Sequence, residues 1–289
     1  MRFALLSDIH GNLPALEAVL EALKTDAPDG ILVAGDWISG PCENETIDIL
    51  QASIPNSVLG NSDIRLLEFI DGKCPSNWAT LKQMSMLRWD VQHLAPQNLA
   101  LLRTMSEQRV IQMDGTAPIR VVHGSLESAY ETPFRTREKL YQTFENLQES
   151  VLICGHSHRP MIATGREGKL IVNPGAVGGP LNGDTHAQYA LLDWCDDQWQ
   201  PQLKRVAYDH QPVIQYFEDS GFLEACGPLA RAFLETILSG EDIAHLLFTH
   251  VDQMAKVRGI ELEDFVPDDI WDEADRTFDW QAVKARRKN

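Results

Sequence analysis

The sequence predicts an α/β fold followed by a helical C-terminal region, and three observations carry that reading. Over roughly the first sixty residues, apolar runs of strand length alternate with stretches of helical period, a pattern that favours parallel strands and right-handed crossovers. Between about residues 115 and 210, further apolar runs are mostly separated by glycine, proline, asparagine and aspartate turn signals. Beyond about Gln211 the texture changes to helices. The chain therefore divides into residues 1–210, an α/β domain, and residues 211–289, a helical region.

In chain order, Arg2 to Ser7 reads as a strand. "NLPALEAVLEALK" follows as a helix, with Leu13, Leu16, Leu20 and Leu23 at helical spacing, Asn12 as N-cap and Pro14 in the first turn. "GILVAGD" is a second buried strand, Glu43 to Gln51 a helix, and "SVLGN" a third short strand. Residues from about Ile64 to Gly115 read as helical and irregular, holding Trp78, Trp89 and the amphipathic "PQNLALLRTM". Strands return as "IRVVHG", "SVLICG", "KLIVNPG", "YALLDW" and "WQPQLKRVAYD". Two helices then follow. "PLARAFLETILSG" places Leu229, Ala232, Phe233, Thr236 and Ile237 on one face, and the next helix repeats the pattern with Ile243, Leu246, Leu247 and Val251. An acidic stretch from Glu261 to Asp279 reads as a solvated face, and no internal repeat or low-complexity segment is visible.

Composition narrows the function classes. A chain of 289 residues, 44% hydrophobic and 23% charged, can bury a large core, and its apolar runs fall short of the roughly 18 residues a membrane helix needs. The opening apolar run reaches Asp8 too soon for a secretory signal, so the expectation is a cytoplasmic protein without membrane partners. Five scattered cysteines, with no C-x-x-C pair, fit reduced thiols and neither a disulfide framework nor a cysteine zinc site. A formal net charge of −17 argues against a duplex nucleic-acid partner, which would call for a basic face.

The residues that stand directly after the apolar runs carry the chemistry. Asp8 and His10 follow "FALLS", Asp36 follows "GILVAG", Asn61 follows "SVLG", His123 follows "IRVV", and His156 and His158 follow "VLICG". All are hard or borderline metal donors. In an extended segment, residues two apart point to one side, so His156 and His158 would present both imidazoles to one spot. Strand ends at the carboxyl edge of an α/β sheet converge on one crevice, so these residues, spread over roughly 150 positions, can meet there. A single aspartate after a strand is commonly a turn residue or a cap, whereas five strand ends finishing in Asp, His or Asn are hard to attribute to turns. The donor number exceeds what one zinc ion takes and suits a two-metal site.

The set "DIHGN", "GD", "GNSD", "VVHG" and "GHSH", in that order, resembles the calcineurin-like metallophosphoesterase superfamily, and "NPGAVG" resembles the loop after the last motif in its small bacterial and archaeal phosphodiesterases. The resemblance covers roughly residues 1 to 210. It implies a four-layer α/β/β/α sandwich, with one metal held by Asp8, His10, Asp36 and His158, the other by Asp36, Asn61, His123 and His156, and Asp36 bridging. Two divalent ions about 3.5–4 Å apart share a water, lower its pKa and hold the hydroxide in line with a bound phosphorus. The expected activity is hydrolysis of phosphodiester or phosphoanhydride bonds in a small phosphorylated substrate, nucleotides included. Manganese is the favoured metal, with iron, zinc, nickel and cobalt permitted by the donors. The competing readings are a phosphomonoesterase or nucleotide phosphatase, and a non-catalytic scaffold on the same fold.

One departure bears on the chemistry. Many superfamily members carry a histidine after the asparagine of the third motif, where it resembles the group that protonates the departing oxygen, and this chain has Ser62. A serine hydroxyl is too weak an acid for that near neutral pH, which points to diesters or anhydrides with good leaving groups. Asp63 reads equally as a turn residue or as a group orienting water or a ligand. Arg135, Arg137 and Arg159 are candidates to reach phosphate, Arg159 the best placed, although a solvated arginine is the default for each. Trp78 and Trp89 read as core rather than as a base-stacking wall, and His245 and His250 as unrelated to the metals. For the C-terminal helices three roles are open: packing on the sandwich, capping the site's entrance, and pairing with a second subunit. Packing with a share in a homodimer interface is favoured.

Overall fold

In the computed structural model residues 1–260 and 266–288 are described; residues 261–265, which open the predicted acidic stretch, and residue 289 lie outside the described residues. The first half contains β1 (Arg2–Leu6), α1 (Leu13–Asp26), β2 (Gly30–Val33), α2 (Glu43–Leu50), α3 (Asn61–Ile70), α4 (Ser85–His93) and α5 (Pro96–Leu102). Then come β3 (Gln108–Ile111), β4 (Ile119–Val122), α6 (Arg137–Asn146), β5 (Val151–Ile153), β6 (Met161–Thr164), β7 (Leu170–Asn173), β8 (Ala187–Cys195) and β9 (Gln198–Val206). Among the described residues, six helices follow: α7 (Gln211–Asp219), α8 (Phe222–Cys226), α9 (Pro228–Ser239), α10 (Ile243–Val257), α11 (Asp268–Thr277) and α12 (Trp280–Lys284).

The strands form two sheets, ordered β2-β1-β8-β9 and β3-β4-β5-β7-β6. Side-chain alternation assigns the layers. Phe3 and Leu5 of β1 and Ala190 and Leu192 of β8 turn to one core, where they meet Ile119, Val121, Val151, Ile153, Leu170 and Val172 of the second sheet. Their neighbours Ala4, Leu6, Tyr189 and Leu191 turn the other way, onto Leu16, Val19 and Leu23 of α1. On the far face of the second sheet, Leu152 and Ile171 pack with Leu140 and Phe144 of α6. Helix, sheet, sheet, helix is the expected four-layer order. Full burial of one such leucine, isoleucine or valine is worth about 1.5–3 kcal/mol, so the inter-sheet core is a main contribution to holding the sheets face to face.

Local signals explain the start. The Asn12 side chain accepts from the Ala15 N–H at 3.2 Å and caps α1, and Pro14 sits in its first turn. β1 and β2 are parallel, as are β4, β5 and β7, whereas β8 and β9 run antiparallel to their neighbours, so both sheets are mixed.

Three expectations need correction. "SVLGN" is no strand: only Val58 pairs, in isolated parallel bridges to Ala34 and Ser106, because α3 begins at Asn61. The span from Ile64 to Gly115 contains a strand, β3, and "MIAT" forms another, β6. Both are edge strands with half-exposed faces, so neither carries the apolar run by which buried strands are read. Helix α9 does not present one apolar face. It is buried on most sides, giving Ala232 to a core with Ile243, Leu247, Val251, Ile270 and Trp271, and Leu234 and Ile237 to a core with Trp89, Val213, Phe217 and Phe222. No described helix is long and apolar enough to cross a membrane.

Candidate metal centre and the cavity above it

The loops after β1, β2, Val58, β4 and β5 open at one edge of the sandwich and bring all seven sequence-derived donors together. Asp8, His10, Asp36 and His123 are buried, and Asn61, His156 and His158 are partly exposed. Asp8, His10, Asp36, His156 and His158 all have φ between +47° and +65°. A left-handed backbone costs a non-glycine residue about 1–2 kcal/mol, and aspartate and histidine are among the types that tolerate it. Neighbouring loops offset that cost. The Asp36 carbonyl accepts from the Ile9 and His10 N–H groups at 2.9 and 3.1 Å, the Asp8 N–H donates to the Gly35 carbonyl at 3.0 Å, and the Asp8 carboxylate accepts from the His156 N–H at 3.2 Å. Because His156 and His158 are left-handed, they do not extend the strand as expected. His156 points Nδ1 to Asn61 Oδ1 at 2.8 Å, and His158 points Nε2 to Asp8 at 3.2 Å.

Each of three histidines is oriented by a backbone carbonyl. Nδ1 of His10 lies 2.9 Å from the Ile38 oxygen, Nδ1 of His123 2.6 Å from that of Ala34, and Nδ1 of His158 2.6 Å from that of Gly179. Carbonyls only accept, so each Nδ1 carries the proton and each Nε2 turns its lone pair to the centre. Gly179 closes the "NPGAVG" loop, which is itself held by the Gly178 N–H on the Asp8 carbonyl at 2.9 Å and by Asn12 Nδ2 on the Gly178 carbonyl at 2.8 Å.

Two donor groups result. Ligating atoms of Asp8, His10, Asp36 and His158 all lie within 4.8 Å of one another. Beside them, His123 Nε2 is 3.0 Å from Asn61 Oδ1 and 3.4 Å from Asp36 Oδ2, with His156 on the same Asn61 oxygen. Burial opposes charge on Asp8 and Asp36, yet His158 and His123 hold the first below the ordinary carboxylate range, and His123 and His10 hold the second far below it. Burial likewise opposes charge on His123 and His158, but the carboxylates push them up to about 10 and about 9; burial lowers His10 and His156. The donors demand positive charge among them. Nitrogen lone pairs and carboxylate oxygens converging at 3–4 Å fit divalent cations of the transition series.

Gly60 lets the loops approach. A Cβ there would stand 2.2 Å from the backbone nitrogen and from Oδ1 of Asp36. Asp63, fully buried, takes neither of the roles open to it in the sequence. Its carboxylate accepts from the N–H groups of Gly60, Asp36 and Trp37 at 2.7, 3.0 and 3.1 Å and ties the loops of Asp36 and Asn61 together. The Ser62 N–H donates to Asp36 Oδ1 at 2.9 Å.

Above the donors lies a cavity of about 630 Å³. Its floor includes His10, Asp36, Asn61, Ser62, His156 and His158; its walls include Arg65, Met84, Leu87 and Asp90, and Leu229, Phe233 and Phe248 of the C-terminal helices. Phe233 stands edge-on to His10 with ring centroids 5.6 Å apart. The C-terminal helices thus pack against α4 and also line the cavity. Arg135, Arg137 and Arg159 do not line the cavity, and Arg159 donates through Nε to the Leu181 carbonyl. Sequence reasoning missed Arg65, one helical turn after Ser62 and stacked over Tyr130 at 5.5 Å; its i+3 spacing from Ser62 was the available signal. Trp89 is buried against Phe222 and Trp78 packs on the first-sheet core, so both are structural, and His250 bonds Thr277 away from the centre.

Comparison with known proteins agrees with this arrangement. Residues 1–197 match the model of the calcineurin-like phosphoesterase superfamily domain. The chain is 26% identical to the phosphodiesterase YfcE of Escherichia coli K12 over 224 residues, which cover 74% of this chain and 96% of that protein. It is 25% identical to an uncharacterized protein of Methanocaldococcus jannaschii over 221 residues, 71% of this chain and 87% of the other. Among solved structures, a metallophosphoesterase from Sphaerobacter thermophilus superposes with a TM-score of 0.64 at 26% identity, over 82% of this chain and 98% of that one. A hypothetical protein from Pyrococcus horikoshii, at 20% identity, shares the fold with a TM-score of 0.66, over 83% of this chain and 98% of that one.

Proposed function

The chain belongs to the calcineurin-like phosphoesterase superfamily, and from that premise we propose that it hydrolyses phosphodiester or phosphoanhydride bonds with two divalent ions, manganese favoured, held between its loop ends. The observation that carries this reading is the position of Asp36. Its Oδ2 lies 3.4 Å from His10 Nε2 in one donor group and 3.4 Å from His123 Nε2 in the other, where a single carboxylate can serve both.

Bound ions would make hydroxide available from water at neutral pH and offset the charge of the phosphate oxygens. The protein's own residues do the rest. Asp8, Asn61 and the four histidines would hold the ions together with Asp36, and the Ser62 N–H orients Asp36 between the two donor groups. Arg65, on the cavity wall, is placed to receive a second anionic oxygen or the far side of the substrate. The cavity's size restricts it to small substrates, nucleotides among them.

Metal analysis of the purified protein, paired with assays of wild type and Asp36→Asn on bis-p-nitrophenyl phosphate, tests the reading. We expect bound divalent metal and metal-dependent turnover in the wild type, with at least a 100-fold loss in the variant, on the scale of a removed transition-state interaction. A wild type without metal, or one no more active than the variant, rules it out and leaves the scaffold reading.

A further inference from the structure

Away from the donor groups, two carboxyls are buried against each other, one of them, Asp90, on the wall of the same cavity and the other, Glu43, behind it. Asp90 of α4 and Glu43, the first residue of α2, are each 1% exposed. Asp90 lines the cavity together with Asp36, Asn61 and Ser62. The Ser39 hydroxyl, on a residue with φ +77°, donates to Asp90 Oδ2 at 3.1 Å. Asp90 Oδ1 and both oxygens of Glu43 find no hydrogen-bond donor. Among the described residues neither carboxyl is in an ion pair. Arg88 on α4 turns its guanidinium to the carbonyls of Trp78 and Leu81, and His93 on the same helix is stacked on Trp89. Glu45 on α2 adds negative charge, and the buried Cys226 thiol of α8 is pushed up to about 12, chiefly by burial and then by Asp90. Asp242 is a further acid on the cavity wall.

Two buried acceptors facing each other with no donor between them do not form a stable contact. One proton shared between them turns the contact into a hydrogen bond, as in paired carboxylates generally. Burial pushes Glu43 well above the ordinary glutamate range and Asp90 up to about 7, the Glu43 and Ser39 contacts holding Asp90 lower than burial alone would. The pair can thus keep a proton near neutral pH, and Asp90 borders the substrate cavity.

We propose that Asp90, supported by Glu43, is the proton donor to the departing oxygen of the substrate, in the role Ser62 is too weak an acid to fill. The proposal rests on the phosphoesterase reading above. Oxygen from water forms a bond to phosphorus; the bond from phosphorus to the departing oxygen breaks, and that oxygen keeps the electron pair and takes the proton from the Asp90 carboxyl. The pair, left with two negative charges, regains a proton from the one released by the attacking water. Diester and water become monoester and alcohol, and the carboxyl pair is unchanged.

The test uses metal-loaded wild type, Asp90→Asn and Glu43→Gln on a series of methyl aryl phosphates running from p-nitrophenyl to phenyl. A general acid supplies about 10²–10⁴-fold, most where the leaving group is poor. Both variants should therefore lose about 100-fold more activity on the phenyl ester than on the p-nitrophenyl ester. Independently of turnover, infrared difference spectra across neutral pH should show a protonated-carboxyl signal that is larger in the wild type than in either variant, the signal common to all three coming from other buried acids such as Asp63. Either amide can supply the donor the pair lacks, so we expect melting temperatures at or above that of the wild type. Equal losses across the ester series overturn the proton-donor role and leave a positioning one; a carboxyl signal equal in the wild type and both variants overturns the shared proton. A wild type inactive on every ester sinks the phosphoesterase reading and this proposal with it, while a wild-type excess of that signal over both variants then shows that the failure lies in that reading rather than in the pair.

Discussion

His10 and His158 face each other, Nε2 to Nε2, at 3.4 Å, while their Nδ1 atoms are committed to the carbonyls of Ile38 and Gly179. Two imidazole lone pairs aimed at each other repel unless a cation stands between them. Asp8 and Asp36 border the same spot, so either a proton or a metal satisfies it. Without metal, protons fill that need: His158 is pushed up to about 9 and His123 up to about 10, against burial, by the carboxylates beside them.

The first prediction follows from that competition. Metal must displace those protons, so binding near pH 7 should release about two, and apparent affinity should climb about 100-fold per pH unit until the metal-free pKa values are passed. For stability the sign is that of raised pKa values. The histidines stabilise the metal-free fold fully below their unfolded value near 6.5, and that contribution is lost as pH rises through about 9 to 10. Calorimetric titration in buffers of different ionisation enthalpy measures the protons, and melting curves against pH measure the stability. Binding without proton release would refute the assignment.

The second concerns Asp63, whose carboxylate gathers three backbone N–H groups from the loops of Asp36 and Asn61. Burial and the nearby Asp36 push it up to about 7, and the N–H groups from Gly60 and Trp37 pull it back. Asp63→Asn keeps one acceptor oxygen and turns an NH2 group on donors. We expect a loss of about 1–3 kcal/mol by denaturant unfolding and a 10–100-fold weaker metal affinity. Unfolding without any change in metal affinity would show that Asp63 supports the fold alone.

The third sets two glycines against each other. Gly72, at φ +70°, has open space where a Cβ would go, so Gly72→Ala should cost only the left-handed backbone penalty of about 1–2 kcal/mol. Gly60→Ala drives a methyl into the backbone and carboxylate of Asp36. Metal content should fall sharply in that variant and stay at the wild-type level in Gly72→Ala. Equal metal content in both would show that the loop yields more than its packing suggests.

The donors were readable in the sequence because each follows an apolar run, and a buried strand announces both itself and the residue that leaves it. Asp8, Asp36, His123 and the two histidines after "VLICG" come to one edge for that reason. The direction of His156 and His158 was not readable, since a left-handed backbone reverses the alternation of a strand and nothing in "GHSH" signals it. The role of Asp63, and Asp90 altogether, were hidden because both are acids of ordinary helices, whose burial depends on what the fold brings against them. Periodicity finds an apolar stripe but not its partner, which is why Phe233 was grouped with core positions although it faces His10.

The fourth prediction uses Ser62. Its N–H on Asp36 is a backbone contact that survives substitution, and its side chain faces the cavity. Ser62→His would place an imidazole where the serine hydroxyl supplies no acid, a second proton donor beside the one assigned to Asp90, so turnover of alkyl monoesters should rise about tenfold or more relative to aryl ones. A wild type that already prefers alkyl monoesters, or a variant without a selective rise, would remove the argument for diester preference.

The last prediction concerns the roof. Phe233 projects from α9 between the His10 ring and Gly179, and packs on Phe217 at 5.8 Å. Being partly exposed to the cavity, it should contribute less than a fully buried phenylalanine, so Phe233→Ala should cost no more than about 3 kcal/mol. His10 keeps its Ile38 bond in that variant and should keep its share of the metal. The missing ring widens the cavity directly above the donors. KM for a small diester should rise severalfold as contact is lost, while diesters too bulky for the wild type become substrates. Metal loss in Phe233→Ala would show instead that the C-terminal helices hold the donor loops in place, and a variant with unchanged KM for small and bulky diesters alike would show that substrate does not reach the roof.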